Sequence, residues 1–201
     1  VFTPSTTSPF SVDSNPLSLE VTDLNDAPEL TAGISIDLGT ITEDDAPAAE
    51  APTYSGLNTF QVSAVVTNSI YTDTDTTPAF NNKGIALTAV STTNGRWEYS
   101  KDAEATWTTV PAVSTSLVLP LDAADYIRFV PNGENGTTAT MRFLAWDQSN
   151  SPTLAIDNTT SLSAAEQGDD GAYSLNANEF SLTVTSINDA PVLSTSGTTA
   201  L

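Results

Sequence analysis

This sequence predicts an antiparallel β-sandwich, and three observations carry that expectation. Apolar and polar residues alternate in short segments that follow one another in quick succession, the pattern of half-buried strands. Asn94-Gly95 lies between two such segments and is the strongest short-range hairpin signal in the chain. No segment keeps a helical period over twelve residues.

The elements read in order as follows. Gly33 to Thr42 alternates Ile34, Ile36 and Leu38, and Thr59 to Val66 is a second strand. Gly84 to Thr92 alternates Ile85, Leu87 and Ala89, and Asn94-Gly95 is expected to fold it back as a hairpin onto Arg96-Trp97-Glu98-Tyr99. Further strands are expected at Thr106 to Val110, Ser116 to Leu121, Tyr126 to Pro131, Thr140 to Asp147 and Glu179 to Ile187. Leu121 to Asp125 and Ser163 to Gln167 each suit a single helical turn.

An internal repeat divides the chain. Ser18-Leu19-Glu20-Val21-Thr22-Asp23-Leu24-Asn25-Asp26-Ala27-Pro28-Glu29-Leu30 returns as residues 181 to 193, with nine of thirteen positions identical at a constant offset of 163. Each copy alternates apolar residues (Leu17, Leu19, Val21; Phe180, Leu182, Val184) and then stops at Asn-Asp-Ala-Pro, where proline cannot donate to a ladder. The parse is one whole module over residues 29–191. Residues 1–28 are the last strand and linker of a preceding repeat, and 192–201 start a following one. The first residue is Val1, with no charged-then-apolar leader, which predicts a piece of a longer polypeptide. Polar ends of this kind fray unless a neighbouring module or chain orders them, as in a fibre.

Charge narrows the function. Twenty-five acids against five bases give a net charge of −20. Phosphate backbones need Lys and Arg, so nucleic-acid binding is all but excluded, and an anionic membrane surface repels the chain. With no Cys and no His, thiol catalysis, disulfides, zinc fingers and imidazole chemistry fall away together. No apolar run is long enough to span a bilayer. The chemistry left is hard cations bound by oxygen.

The acids gather at strand ends: Asp23-Leu24-Asn25-Asp26, Glu43-Asp44-Asp45, Asp73-Thr74-Asp75, Asp147-Gln148-Ser149-Asn150, Asp169-Asp170 and Asn188-Asp189. Calcium takes six to eight oxygen ligands, and Asp-x-Asp in an extended loop turns two carboxylates onto one ion. The EF-hand loop is absent. Glu166 with Asp169, or Glu98 with Glu104, is a weak glycosidase pair. Trp97, Trp107 and Trp146 are read first as packing residues and second as a sugar platform. The sequons at Asn135 and Asn158 mark loops.

The order Glu43, Asp73-Thr74-Asp75, Ala145-Trp146-Asp147 and Ser186-Ile187-Asn188-Asp189-Ala190-Pro191 resembles the cadherin-like tandem repeats of giant bacterial surface adhesins, RTX-type biofilm adhesins among them. Asp23-Leu24-Asn25-Asp26-Ala27-Pro28 carries the exit motif in full, whereas Ser186 replaces its first Asp in the second copy. The resemblance implies an Ig/cadherin-like Greek key and no enzyme. It implies a calcium-stiffened extracellular spacer on the bacterial cell surface, whose partners are adjacent repeats or neighbouring chains. A filament subunit or a lectin-like carbohydrate-binding module is the alternative. It further implies one calcium site from Asp23, Asn25, Asp26, Asp73, Asp75 and Asp147. A second, weaker site uses Glu43, Asp44 or Asp45 with Asn188 and Asp189. Without the ion, the first linker is expected to open.

Overall fold

A computed structural model describes residues 16, 18–45, 59–67, 70–75 and 83–191. The flanking residues 1–15 and 192–201 lie outside that set. Among these described residues, twelve strands, one helical turn and one 3-10 turn follow in order. They are β1 (Glu29–Leu30), β2 (Ser35–Thr42), β3 (Thr59–Gln61), α1 (Val62–Val65), β4 (Tyr71–Thr72), β5 (Gly84–Val90) and β6 (Gly95–Ser100). Next come β7 (Thr108–Thr109), β8 (Leu117–Leu121), β9 (Tyr126–Pro131), β10 (Thr137–Trp146), β11 (Thr160–Ser161), the 3-10 turn (Ala164–Glu166) and β12 (Tyr173–Thr185).

The chain is all-β. A six-stranded sheet runs β11-β8-β5-β10-β12-β2, a four-stranded sheet runs β3-β9-β6-β7, and β1 pairs with β4. One apolar core takes Ile85, Leu87, Leu119, Leu121, Met141, Phe143, Phe180 and Leu182 from the large sheet. From the small one it takes Trp97, Tyr99, Ile127 and Phe129. Phe143 stacks on Phe180 with centroids 4.3 Å apart, tying β10 to β12.

The large sheet is buried on both faces around β5, β8 and the end of β10, and strand sequence shows how. Successive side chains point to opposite faces, so Phe143 and Ala145 enter the main core while Leu144 and Trp146 enter a second cluster. That cluster adds Ala86, Val118, Leu162, Ala172 and Tyr173. The excursion between β10 and β12 supplies Leu162 and Ala172 and so covers the outer face. This is why Gly84–Val90 reads as a nearly continuous apolar run.

Four sequence expectations need correction. Among the described strands, pairing is antiparallel except between β12 and β2, which run parallel. Thr59 to Val66 is a strand only to Gln61. The chain then turns helical, because Val62 and Val66, four apart, both reach the core. Asn94-Gly95 makes a turn but no hairpin: β5 pairs with β8 and β10, and β6 with β7 and β9, so this turn crosses between sheets. A close approach demands the glycine, since a Cβ at Gly95 would sit 2.4 Å from the Phe129 ring and 2.5 Å from the Val130 carbonyl. Finally, Leu121 to Asp125 closes as a tight turn, Asp125 N donating to Asp122 O at 3.0 Å, without helix. Ser163 to Gln167 does turn, as the 3-10 segment.

Phe180→Ala should lower unfolding free energy by roughly 3–5 kcal/mol, the range for large-to-small changes at fully buried aromatics. Denaturant titration measures it, and a loss below about 1 kcal/mol would show that the two sheets do not share this core.

Candidate functional site

The strand ends decide which acids meet. β1 pairs with β4 in the register Glu29↔Thr72 and Leu30↔Tyr71. That pairing lays the linker just before β1 beside Asp73 and Asp75, just after β4. β10 ends at Trp146, and its next residue, Asp147, closes the same end of the molecule.

The contacts are direct. Asp26 N donates to Asp75 Oδ2 at 2.9 Å, and Asp75 N donates to Asp73 Oδ1 at 3.0 Å. Asn25 Nδ2 donates to Asp147 Oδ2 at 3.1 Å and to Gly171 O at 3.0 Å. Ser149 N donates to Asp147 Oδ1 at 2.7 Å. Asp147 is fully buried and Asp75 nearly so, whereas Asp26 is exposed. Five of the six residues expected at this end, Asn25, Asp26, Asp73, Asp75 and Asp147, therefore share one neighbourhood. Asp23 is exposed on the linker, and among the described residues no hydrogen bond or ion pair joins it to the others.

The field there is strongly negative. Loss of hydration raises the Asp73 carboxyl, the Asp75 N–H opposes that rise, and the charges of Asp147, Asp75 and Asp26 add to it. Burial likewise raises Asp147, against hydrogen bonds from Ser149 and Asn25 and with a further push from Asp75. The neighbouring Tyr71 phenol is pushed up by burial and then by Asp73 and Asp147. Two buried oxygens, Asn25 Oδ1 and Asp73 Oδ2, accept no hydrogen bond.

The opposite end is built around Glu43, just past β2. Glu43 is fully buried; its Oε1 accepts from Ile187 N at 2.7 Å, while Oε2 has no partner. Glu43 N donates to Thr185 O at 3.0 Å, so the carboxylate sits beside the last residues before Asn188 and Asp189. Those two are exposed, as is Asp44. Asp45 turns inward on its own strand, its Oδ2 accepting from Thr42 N at 2.7 Å and the Thr42 hydroxyl at 2.9 Å.

These donors are hard oxygens, the set that suits calcium. Among the described residues, no three carboxylates already converge as a closed cage. The fit therefore lies in donor chemistry and unanswered lone pairs, at Asn25, Asp73 and Glu43. Sequence reading marked Asp169-Asp170 for its carboxylates but missed that the turn at residues 167–172 grips the linker through its backbone carbonyls.

The other constellations separate in space or serve locally. Glu98 binds Arg128 at 2.7 Å and Arg96 at 2.7 Å, and Glu166 caps its own turn through Ser163. Trp97 is in the main core, Trp107 lies over Arg128 at 4.0 Å, and Trp146 stacks on Tyr173. No helix among the described residues is long and apolar enough to cross a membrane. Comparison with protein-family profiles, curated proteins and solved structures gives no match.

The raised carboxyls give a pH test. Burial also raises Asp125, partly offset by the Asp122 N–H and by Lys101. A folded pKa above the unfolded one means that the folded state holds the extra proton. Stability of the metal-free protein should therefore rise as pH falls from neutral through the raised values of Asp73, Asp125 and Asp147, and level off near the ordinary carboxylate value of ~4. Asp102, held low by Thr106 and Ser100, and Asp157, held low by Thr159, act in the opposite sense below that range. Asp73→Asn should stabilise the metal-free protein at neutral pH by on the order of 1 kcal/mol, one carboxylate repulsion across a hydrated surface. Thermal melts in chelator at several pH values measure both effects.

Proposed function

We propose that this chain is a calcium-binding spacer module of a cadherin-like repeat array, carried on an extracellular bacterial adhesin and stiffened where modules join. The observation that carries this reading is the set of buried oxygens left without donors at both ends: Asn25 Oδ1 and Asp73 Oδ2 at one, Glu43 Oε2 at the other. A buried acceptor without a donor is costly, and a hard cation answers several such oxygens at once. We read the two large sheets, with their common core, as the layers of an Ig/cadherin-like Greek-key sandwich.

Asn25, Asp26, Asp73, Asp75 and Asp147 would hold an ion at the linker end. Glu43, with Asn188 and Asp189, would hold part of one at the other. Bound there, calcium supplies positive charge against repelling carboxylates. The protein's own part is to place the oxygens: β1–β4 pairing sets the linker beside Asp75, and the end of β10 fixes Asp147. The partners on this reading are adjacent repeats. This reading makes the chain no enzyme, and it takes Trp97 and Trp146 as packing residues in the two apolar clusters.

Extracellular modules bind calcium at roughly 10⁻⁴ to 10⁻³ M. At a hundred times Kd, binding to the folded state alone adds about 2.7 kcal/mol. Calcium should therefore raise Tm by several degrees, chelator should reverse the rise, and sodium at equal ionic strength should not reproduce it. Asp75→Ala should remove most of the rise, and Glu43→Gln a smaller part. A melting curve indifferent to calcium and chelator would end the ion-binding reading.

A further inference from the structure

We infer that residues 25–30 are clamped to this module by protein contacts alone. The linker is then a fixed part of the module with or without an ion, and the joint to whatever precedes it lies at Val21–Leu24.

Two jaws hold the linker. On one side, Asp26 N donates to Asp75 Oδ2 at 2.9 Å, Leu30 pairs with Tyr71, and Thr31 N donates to Ile70 O at 3.0 Å. On the other side stands the turn at residues 167–172. Ala27 N donates to Asp169 O at 2.7 Å, Asn25 Nδ2 to Gly171 O at 3.0 Å, and Asn176 Nδ2 to Leu30 O at 3.3 Å. Pro28 and Leu30 are buried between them. The boundary is abrupt: Leu19, Val21 and Leu24 are 87%, 85% and 65% exposed.

The second jaw is itself rigidly built. Ser163 and Glu166 cap the 3-10 turn reciprocally. Gly168 N donates to Tyr173 O at 2.8 Å and Gly171 N to Gly168 O at 2.8 Å. A Cβ at Gly171 would lie 2.5 Å from the Glu166 carbonyl carbon and oxygen, so only glycine closes this turn. Each of these contacts joins two protein atoms. The force against them is repulsion among Asp26, Asp73, Asp75 and Asp147, and Asn25 Nδ2 with the Asp26, Asp75 and Ser149 amides meets part of it by donating into that cluster.

This inference departs from the expectation that the first linker opens when calcium leaves. It stands apart from the calcium reading, and the two fail separately. Amide hydrogen exchange on the 201-residue chain in chelator tests it. The Asp26 and Ala27 amides should exchange at least ~100-fold more slowly than those of Val21 to Leu24, where each tenfold step reflects ~1.4 kcal/mol of opening free energy. Asn25→Ala and, separately, Gly171→Ala should cost Ala27 about tenfold or more of that protection, while the Phe180 and Leu182 amides stay protected and report an intact fold. Asp26 and Ala27 amides that exchange as fast as Val21 in chelator would overturn the clamp, even if calcium restores protection and raises Tm. Protection in chelator together with a calcium-indifferent Tm would support the clamp and reject the ion.

Discussion

Strand β12 is the member on which the other elements depend. It is paired on both edges, antiparallel to β10 along nearly its whole length and parallel to β2. Its inward residues Phe180, Leu182 and Val184 enter the main core, and Tyr173 at its start enters the second cluster. Thirteen residues at ~3.3 Å each carry it roughly 40 Å from one end of the module to the other. The two acidic ends are therefore held at a fixed separation by one continuous, doubly bonded strand. At Gly39 (φ 102°), β2 departs from that ladder: residues 38 and 39 together face Leu182, and Gly39 N turns back to Asp37 Oδ1 at 2.8 Å. The bulge lets β2 follow the twist of β12 and still deliver Glu43 beside Ile187.

Few bases stand against the many acids, and most of them lie on the sheets. Of five Lys and Arg residues, Arg96 and Arg128 both lie on Glu98, and Lys101 lies 3.9 Å from Asp125. Arg142 faces Glu179 across the strand pair, and Lys83 lies over the Tyr71 ring at 5.3 Å. Neutral donors serve the buried acids at the ends: Asp147 accepts from Ser149 and Asn25, Asp75 from Asp26 N, and Glu43 from Ile187 N. Neutral donors lower the cost of burying a carboxylate but leave its charge in place. Repulsion among Asp73, Asp75, Asp147 and Asp26 follows directly.

Much of this was legible in the chain, and the failures have physical causes. Tyr126–Pro131 is a short apolar segment that is buried from Ile127 onward, and its bounds were readable as they stand. Residues 137–146 read short at their start because Thr137 and Thr138 are polar, yet they pair with Val184 and Thr183. Asn94-Gly95 misled because turn chemistry reports a reversal of the chain, and a reversal between two sheets uses the same residues as one within a sheet. The linker cluster was legible through Asn25, Asp26, Asp73, Asp75 and Asp147, since each ends or follows an apolar segment. Asp169-Asp170 was legible only as a pair of carboxylates, because Asp169 to Gly171 acts on the linker through backbone carbonyls, which every sequence has.

The parallel pairing of β2 with β12 has a mechanical consequence. The linker arrives at the end where β2 begins, and the chain leaves at the opposite end, where β12 finishes. Tension between the two would draw β2 and β12 past each other along their common axis. Six register pairs from Glu179↔Ser35 to Thr185↔Thr42 would then resist together, where a hairpin pulled from its open end yields one bond at a time. Resistance of this kind is a matter of unfolding rate under force and not of equilibrium stability. The strand that spaces the two ends is therefore also the one placed to bear a steady pull between them.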